Sequence, residues 1–304
     1  MKISRHQMIA FAAVGREKSF SKAAVSLELG QSAITQHISS LEKTIGIQLF
    51  IRNRSGAQLT QAGRDLYFLA DKMRVLEEQF YERANQYADL TAGSLSVCMS
   101  TPLPAMAIIA AFKHQFPGVD IDLQMAPWRE AITKLHRRDI DIAIIMQPDS
   151  LEGLYAVEVE RRTFVAILPK YHPLAQSTCI DIKALQKETL ILLSQSSYTL
   201  HCVEKILFQQ KIKWENTLVV SSYEMMLEAI IHGVGIGIAL EGAQSHYQQV
   251  STVSLKNINE THPYTVVCAN DKAALSSVRG FFEIASRGAH SARPWQLNYS
   301  EDNN

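Results

Sequence analysis

A heptad repeat of apolar residues in the first third of the chain most constrains how this sequence can fold. The repeat covers more than three heptads, with Arg83 as the one polar member of its second seam, and is flanked by charged residues. It predicts a helix over about residues 61–91, a rod roughly 40 Å long. Because a rod cannot bury its apolar stripe alone, the pattern favours pairing with a second chain; a helix lying on its own domain is the alternative. The seam residues are Leu66, Leu69, Met73, Leu76, Phe80 and Tyr87.

The charge of the chain is divided unevenly, although its formal net charge is zero. Residues 1–64 carry nine basic and three acidic side chains, a net charge of +6, so the remaining 240 residues carry −6. A basic head on an acidic body is typical of a protein that meets a polyanion such as nucleic acid. A solvated surface that is merely basic is the alternative.

The apolar spacing in the head predicts three short helices. The first covers about residues 4–16, the second runs over about 22–29 behind a Ser21 N-cap, and the third begins at Gln31. Gly30 permits a sharp turn between the last two, so the pair is typical of a helix-turn-helix. The third helix is expected to turn a stripe of four residues inward: Ile34, Ile38, Leu41 and Ile45.

The outer face of the third helix carries short hydroxyl and amide side chains. Amides suit base edges, because they can both donate to and accept from adenine, and the helix N-terminus offers free N–H groups to a phosphate. An ordinary solvated helix face is the alternative. The candidate DNA-contacting residues of this face are Gln31, Ser32, Thr35, Gln36 and Ser39.

The segment after the third helix predicts a two-stranded wing. Arg52 and Arg54 lie near its tip, before a turn that contains Gly56. Arginines at a wing tip reach phosphates or the minor groove. Thr60 is expected to cap the helix that follows.

Strands alternate with helices in the rest of the chain. The first unit has predicted strands near 95–99 and 140–146 and a helix that begins at 100–102; a second unit starts at residue 164, and a final helix covers about 273–287. This alternation predicts parallel α/β sheets, and two such units in tandem place a cleft between them.

Several protein classes are disfavoured by what the sequence lacks. No apolar run approaches 18 residues and the first six residues do not resemble an export signal, which predicts a cytoplasmic chain with no membrane partner. The glycine-rich segment 233–237 does not open a βαβ unit and lacks the lysine of a nucleotide-binding loop, so no cofactor is expected. The sequence also contains neither a histidine cluster with metal-ligand spacing nor an acyl-transfer motif, so neither a metal site nor an enzyme activity is expected. Redox sensing is a further alternative, because Cys202 lies beside His201 and could be a reactive thiol. A disulfide switch would need a second cysteine nearby.

The head and body resemble the LysR-type family of bacterial transcription regulators. The matching head residues are Phe11, Ser19, Ala23, Ala24, Leu27, Gln31, Thr35, Ile38, Leu41, Glu42, Gly46, Leu49, Phe50, Arg52, Leu59, Thr60, Ala62 and Gly63. The matching body stretches are 140–144, 172–175 and 233–236. Ser32 stands where the family often has proline, and Gln36 and Ser39 stand where it often has basic residues, so an unusual DNA preference is expected.

The resemblance implies an α/β fold class with an N-terminal all-α winged helix-turn-helix, a long linker helix and two α/β subdomains that resemble periplasmic binding proteins. The implied domains are a DNA-binding head over 1–62, a dimerisation helix over 63–92, effector subdomain I over 93–161 with 270–304, and effector subdomain II over 162–269.

The family binds its inducer in the cleft between the two subdomains. Ser100 and Thr101 match a hydroxyl position at a helix N-terminus, where a carboxylate gains N–H bonds; plain helix capping is the alternative. Trp128 stands where many members have serine or threonine, so it either lines or fills the pocket. The loop expected to form the facing wall covers residues 194–198 and includes the candidate contacts Ser194, Gln195 and Ser196.

The resemblance therefore implies a sequence-specific transcription regulator that a small molecule in the cleft modulates. Its implied partners are double-stranded DNA, a small-molecule effector and further copies of itself in a homodimer or homotetramer, with RNA polymerase as a candidate. A solute-binding module whose head only dimerises it is the alternative, which the basic head disfavours. An enzyme acting in the cleft is disfavoured because the sequence shows no paired nucleophile and base.

Overall fold

The computed structural model describes residues 3–53, 56–84, 93–146, 150–194, 197–242 and 247–287. Within these ranges the chain forms an N-terminal head, a long helix and a body of two α/β subdomains. None of the helices in this part of the chain is both long enough and apolar enough to cross a membrane.

The head is a three-helix unit with a two-stranded wing. Its elements are α1 (Arg5–Glu17), α2 (Phe20–Ser26), α3 (Gln31–Ile45), β1 (Phe50–Asn53) and β2 (Gly56–Leu59). The wing strands are antiparallel, and Asn53 pairs with Gly56 at the turn. The inner stripe of α3 lies in the head core, as predicted, except that Ile45 is only half-buried. The predicted helix-turn-helix and wing are therefore confirmed.

The second helix begins earlier than the sequence predicts, because its N-cap is Ser19 and not Ser21. The Ser19 hydroxyl accepts a hydrogen bond from the backbone N–H of Lys22 at 3.3 Å. Phe20 packs edge-to-face on an aromatic ring of β1, which fixes the first turn of the helix against the wing. The Ser21 hydroxyl instead donates to Gln31 Oε1 at 2.9 Å and ties α2 to α3.

The linker helix and the body follow the head. In chain order they are α4 (Gln61–Ala84), β3 (Gly93–Met99), α5 (Ala105–Gln115), β4 (Val119–Met125), α6 (Trp128–His136), β5 (Ile142–Met146), β6 (Leu154–Arg162), β7 (Phe164–Pro169), β8 (Cys179–Ile180), β9 (Leu190–Leu193), α7 (Tyr198–Gln209), β10 (Thr217–Val220), α8 (Tyr223–Ile231), β11 (Ile236–Leu240), β12 (Val250–Leu255), β13 (His262–Ala269) and α9 (Ser276–Ser286).

Each subdomain is built on one sheet. Subdomain I has the strand order β4-β3-β5-β13-β6, and subdomain II has the order β10-β9-β11-β7-β12-β8. Both sheets are mixed and not parallel as predicted, since β13 is antiparallel to β5 and β7 is antiparallel to β11. A strand that arrives from the other subdomain needs no helical crossover from its neighbour, so it can pair antiparallel.

Two boundaries in the body differ from the prediction. Strand β13 pairs with β5 and β6, so the chain returns to subdomain I before His262 and not after Ala269. Helix α5 begins at Ala105 and not at 100–102. Pro102 and Pro104 explain the later start, because a residue that precedes proline disfavours the helical conformation.

Candidate nucleic-acid interface and inter-subdomain cleft

The outer face of α3 is polar and accessible. Its exposed or half-buried residues are Gln31, Ser32, Thr35, Gln36 and Ser39. The N-cap of α3 is Gly30, so no side chain caps the helix and its first N–H groups are open to a phosphate. The stripe on the opposite side holds the helix against the head core, so the polar face is presented on a fixed support.

The wing is fixed beside α3 by a carboxylate and a close backbone contact. Glu42 Oε1 accepts hydrogen bonds from the backbone N–H groups of Leu49 (2.8 Å) and Phe50 (3.1 Å). Gly63 in α4 lies so close to the wing that a Cβ there would be 2.2 Å from the Leu49 carbonyl oxygen. Thr60 Oγ1 accepts from the backbone N–H of Gly63 at 3.0 Å, which confirms Thr60 as the cap of α4.

Part of the positive charge of the head faces the rest of the chain. Arg5 forms an ion pair with α4, Arg16 Nη2 donates to Ser94 Oγ at 2.8 Å, and Lys18 Nζ lies 3.2 Å from an Asp139 carboxylate oxygen. These basic residues help to hold the head on the body. The charge available to a polyanion is therefore smaller than the +6 of the sequence count suggests.

The two wing arginines are described only in part. Arg52 lies in β1 and pairs with Ala57 across the wing. The side chain of Arg52 and all of Arg54 lie outside the described residues. Their contact with DNA stays a prediction.

Helix α4 uses different faces for different neighbours. Leu66 packs on the head core, and Val75 is fully buried in the core of subdomain I. The remaining seam residues that the structure describes are exposed: Leu69, Met73, Leu76 and Phe80. Tyr87 lies outside the described residues. One side of α4 therefore packs on its own chain, and another side exposes an apolar stripe to which a second chain can bind. Each of the two interpretations of the rod is supported by one of these sides.

A cleft of about 550 Å³ lies between the subdomains, where the N-termini of α6 and α7 approach each other. Its lining includes Trp128, Arg129, Glu130, Ser197, His201 and Glu204. Pro127 is the N-cap of α6 and provides no side-chain cap, and the N-terminal end of the helix dipole points toward the cleft. The end of α6 at the cleft is therefore electropositive.

Trp128 both lines this cleft and fills space behind it. The residue is only 5% exposed and packs in the core with Ala131 and Leu135. Its ring meets Tyr198 of α7 edge-on, with 5.7 Å between ring centroids. The Tyr198 hydroxyl lies 2.9 Å from His262 Nδ1, and burial lowers the pKa of His262. This aromatic contact joins the two subdomains beside the cleft.

The two hydroxyls that the sequence placed at a helix N-terminus do not line this cleft. Ser100 and Thr101 precede α5 instead of forming its first turn. Thr101 Oγ1 accepts from the backbone N–H of Leu103 at 3.2 Å and donates to its carbonyl oxygen at 2.9 Å, so it shapes the turn. Ser100 Oγ is buried and has no hydrogen-bond partner among the described residues.

The loop 194–198, expected to form the facing wall, is described except at two positions, and its Ser197 lines the cleft. Ser194 is half-buried and does not belong to the cleft lining. Gln195 and Ser196 lie outside the described residues. Their contact with an effector stays a prediction.

The cysteine singled out in the sequence is buried. Cys202 Sγ lies 4.0 Å from His262 Nδ1, and burial raises the pKa of the Cys202 thiol. Cys179, the nearest cysteine in sequence, is exposed in β8, an edge strand. A protonated, covered thiol is poorly suited to redox sensing.

Two family models match the chain. The model "Bacterial regulatory helix-turn-helix protein, lysR family" matches residues 6–64, and the model "LysR substrate binding domain" matches residues 88–289, which is more than half of the chain. The chain belongs to the LysR family. As a member it is a DNA-binding transcription regulator with an effector-binding domain, and it is not an enzyme.

Curated relatives of this LysR-family chain are regulators. The chain is 28% identical to the HTH-type transcriptional activator CmpR of Synechocystis sp., over 78% of the chain and 81% of the relative. It is 30% identical to a probable RuBisCO transcriptional regulator of the same organism, over 73% of the chain and 67% of the relative. These relatives support the family and say nothing about this chain's own ligand.

Solved structures show the same fold. A full-length cysteine-to-aspartate variant of OxyR from Pseudomonas aeruginosa has a TM-score of 0.79 and 17% identity and covers 96% of each chain. Full-length CbnR complexed with its target DNA has a TM-score of 0.55 and 20% identity, over 95% of this chain and all of that one. The LysR-family fold is therefore found over nearly the whole chain.

The sequence did not predict several residues that the fold brings to the cleft of this LysR-family chain. Arg129, His201 and Glu204 line it, although they come from two subdomains. The only sequence signal for Arg129 and His201 is their place in the first turns of α6 and α7. Which helix ends meet across a cleft is decided by the packing of the two sheets.

Proposed function

We propose that this regulator binds operator DNA through the open face of α3, with Arg52 and Arg54 on the DNA backbone or in the minor groove. The observation that carries the proposal is the arrangement of α3. This helix presents a polar, accessible face, packs its opposite side in the head core and has no side-chain cap at its N-terminus. The wing stands beside this helix, held by Glu42. The proposed reading residues are Gln31, Ser32, Thr35, Gln36 and Ser39.

Salt dependence tests the phosphate contacts. The logarithm of the binding constant falls with the logarithm of salt concentration by about 0.9 for each neutralised phosphate. The double variant Arg52→Ala, Arg54→Ala is expected to weaken binding to every duplex and to flatten this slope by about 1–2. Arg161→Ala is the control, because it removes a basic side chain of the body that pairs with Glu158. An unchanged slope in the double variant would contradict the wing contact.

Sequence selectivity tests the reading face. Duplexes would be selected from a random pool by the full-length protein, and binding to the selected and random DNA would then be compared. Gln36→Ala is expected to lose affinity for selected DNA, about 1–3 kcal/mol for a bidentate base contact, with little change for random DNA. Equal loss for both pools would assign Gln36 to phosphate contact and overturn its reading role.

We also propose that the effector binds in the inter-subdomain cleft and is a small molecule with one negative charge. A volume of about 550 Å³ is in the usual range for a small ligand. The N-terminus of α6, Arg129 and His201 favour an anionic group, whereas Glu130 and Glu204 disfavour a second one. The remaining candidate contacts are Trp128, which lines the cleft, and Gln195 and Ser196 of the facing loop.

Calorimetric titration of the full-length protein tests this ligand class. Aromatic and aliphatic monocarboxylates such as benzoate are expected to bind, and the dicarboxylate succinate is expected to bind more weakly. Arg129→Ala is expected to weaken the monocarboxylate, while Lys205→Ala is the control on α7, because its ammonium pairs with Glu260 outside the cleft lining. Tighter binding of succinate, or binding that Arg129→Ala leaves unchanged, would overturn the assignment.

Further copies of the chain are the proposed partners besides DNA and effector. The exposed stripe of α4 supports a homodimer through this helix. Strands β4 and β10 end their sheets and expose Leu123, Met125, Leu218 and Val219, which supports a second contact between effector domains in a homotetramer. RNA polymerase as a partner and the cytoplasm as the location are proposed from the regulatory role alone.

A further inference from the structure

A cluster of charged side chains, four of them buried, joins the linker helix to subdomain I. Arg138 Nη1 lies 2.7 Å from Asp71 Oδ2 of α4, and Arg138 Nη2 lies 2.5 Å from Asp271 Oδ2. The side chains of Arg138 and Asp71 are each only 2% exposed. Arg74 Nε, one turn further along α4, lies 3.1 Å from Asp71 Oδ1. Arg138 and Asp71 therefore form a buried ion pair and not a surface one, because both side chains are removed from water.

A lysine connects this contact to the sheet of subdomain I. Lys272 Nζ lies 2.8 Å from Asp141 Oδ1 and 3.7 Å from Asp71 Oδ2. The second oxygen of Asp141 accepts from the backbone N–H (2.9 Å) and hydroxyl (2.7 Å) of Ser96 in β3. The charge cluster, as we call it, has three anions and three cations and consists of Asp71, Arg74, Arg138, Asp141, Asp271 and Lys272.

Neutral contacts on α4 continue the same face. Val75 is fully buried in the core of subdomain I, one turn beyond Asp71. Gln79 Nε2 donates to the backbone carbonyl of Asp271 at 2.7 Å. Asp71, Val75 and Gln79 are four residues apart and therefore lie on one side of the helix. The stripe of α4 that is open to a second chain lies on another side.

Two rigid elements run from the cleft to the charge cluster. Helix α6 begins at Trp128, which lines the cleft, and ends two residues before Arg138. Strand β13 begins at His262, which meets Tyr198 of subdomain II, and is followed by Asp271 and Lys272. A nine-residue helix is about 13 Å long and an eight-residue strand about 27 Å. Helix α6 therefore links the cleft to Arg138, and β13 links the contact with Tyr198 to Lys272.

We propose that the charge cluster is a latch through which the cleft controls whether α4 and the head stay docked on subdomain I. A buried ion pair cannot be stretched gradually, because separating the charges leaves each one unpaired away from water. The latch therefore has two states, one docked and one released into solvent. A change of cleft shape that moves Arg138 or Lys272 shifts the balance between them. This goes beyond the proposed function, since it assigns the coupling to residues outside both binding sites.

Hydrogen exchange of the full-length protein, followed by mass spectrometry without DNA, tests the latch. Asp71→Asn keeps the size of the side chain and removes one anion; it is expected to speed exchange in α4 and in residues 137–141 at least tenfold. The exchange of α3 and of β7 is expected to stay as in the wild type. Asp65→Asn, the same change at an exposed position of α4, is the control. Unchanged exchange of α4 in Asp71→Asn would overturn the latch.

A milder variant covers the case in which Asp71→Asn exchanges quickly throughout because it does not fold. Gln79→Ala removes a neutral hydrogen bond of the same docked face and leaves every charge paired. It is expected to speed exchange in α4 severalfold, with the head and subdomain II unaffected. If Gln79→Ala leaves α4 as protected as in the wild type, the docked face does not hold the helix and the proposal fails.

A change at the cleft tests the coupling. Trp128→Phe alters the contact with Tyr198 and is expected to change the exchange of α4 at least threefold, at a distance from the substitution. Trp214→Phe, a similar change in the core of subdomain II, is the control and is expected to leave α4 unaffected. If Trp128→Phe changes exchange only in α6 and around Tyr198, the cleft does not control the latch. Since no DNA or effector is present, failure of this test is distinct from failure of the proposed function.

Discussion

Replacing Lys272 with methionine is expected to destabilise the protein strongly, although the change is nearly isosteric. Lys272 is 2% exposed and is the only cation within ion-pair distance of Asp141 among the described residues. Removing one partner of a buried ion pair costs about 3–5 kcal/mol, because the other charge stays buried. Asp141 keeps its two hydrogen bonds from Ser96 and Asp71 keeps Arg138, so we expect about 3 kcal/mol. A loss of that size is a large fraction of the 5–15 kcal/mol that is typical of folded domains.

The loss is expected to depend on pH. Burial raises the pKa of Asp141, but the positive charges of Lys272 and Arg16, together with the hydrogen bonds from Lys272 and Ser96, outweigh this effect and hold that pKa well below its usual range. A carboxyl group with a lowered folded-state pKa contributes stability above its unfolded pKa, near 3.9, and loses it as the pH falls through the folded value. In Lys272→Met the effect of burial is opposed only by Arg16 and by Ser96, so the pKa of Asp141 rises. The difference between wild type and variant is therefore largest at pH 7 and becomes smaller toward pH 4.

Urea unfolding followed by tryptophan fluorescence would measure the difference in free energy of unfolding between the wild type and Lys272→Met at pH 7 and pH 4.5. Lys205→Met is the control, because Lys205 forms an exposed pair with Glu260 and exposed pairs are worth about 0–1 kcal/mol. If Lys272→Met costs no more than Lys205→Met at pH 7, or if its cost grows as the pH falls, the reasoning about the buried pair is refuted.

Three further predictions concern assembly and the head. Leu76→Asp, on the open stripe of α4, is expected to convert the dimer to monomers in sedimentation, and an intact dimer would count against pairing through α4. Leu218→Asp, on the edge strand β10, is expected to abolish tetramers and leave dimers; tetramers that persist at the same concentration would exclude this edge. Gly63→Ala is expected to lower the free energy of unfolding by about 1–3 kcal/mol in thermal unfolding, because its Cβ would overlap the Leu49 carbonyl oxygen. Gly30→Ala is the control, because a Cβ at that position has no atom nearer than 3.6 Å. Equal stability of the two variants would show that the wing moves freely.

The head was largely predictable because its signals are local. The inner stripe of α3 and the cap at Thr60 each depend on residues within a few positions of one another, whereas the left-handed residue of the turn before α3 is Glu28 and not Gly30. The start of α2 was not predictable from the cap residues, since Ser19 and Ser21 both suit an N-cap. The contact of Phe20 with the wing decides between them, and that contact is made only in the folded head.

The body was predicted at the level of elements and not of topology. The apolar strands β5, β7 and β9 stand out as continuous apolar runs, whereas β6 and β12 do not, because most of their residues are half-buried or exposed. The pairing of β13 with β5 and β6 joins parts of the chain more than a hundred residues apart. No local pattern specifies such a pairing, and the boundary at Ala269 that the family resemblance implied was misplaced.

The sequence alone determined the polar face of α3, the apolar stripe of α4 and the two-unit plan of the body, because these are periodic patterns that each element expresses by itself. Tertiary structure alone decided which helix ends meet at the cleft and which face of α4 lies on the body. Asp71, Arg138 and Lys272 are ordinary charged residues in the sequence, and nothing near them in the chain distinguishes them from solvated ones. They become a buried cluster only because the sheet of subdomain I brings α4, the end of α6 and the end of β13 together, where each charge is stable only beside its opposite.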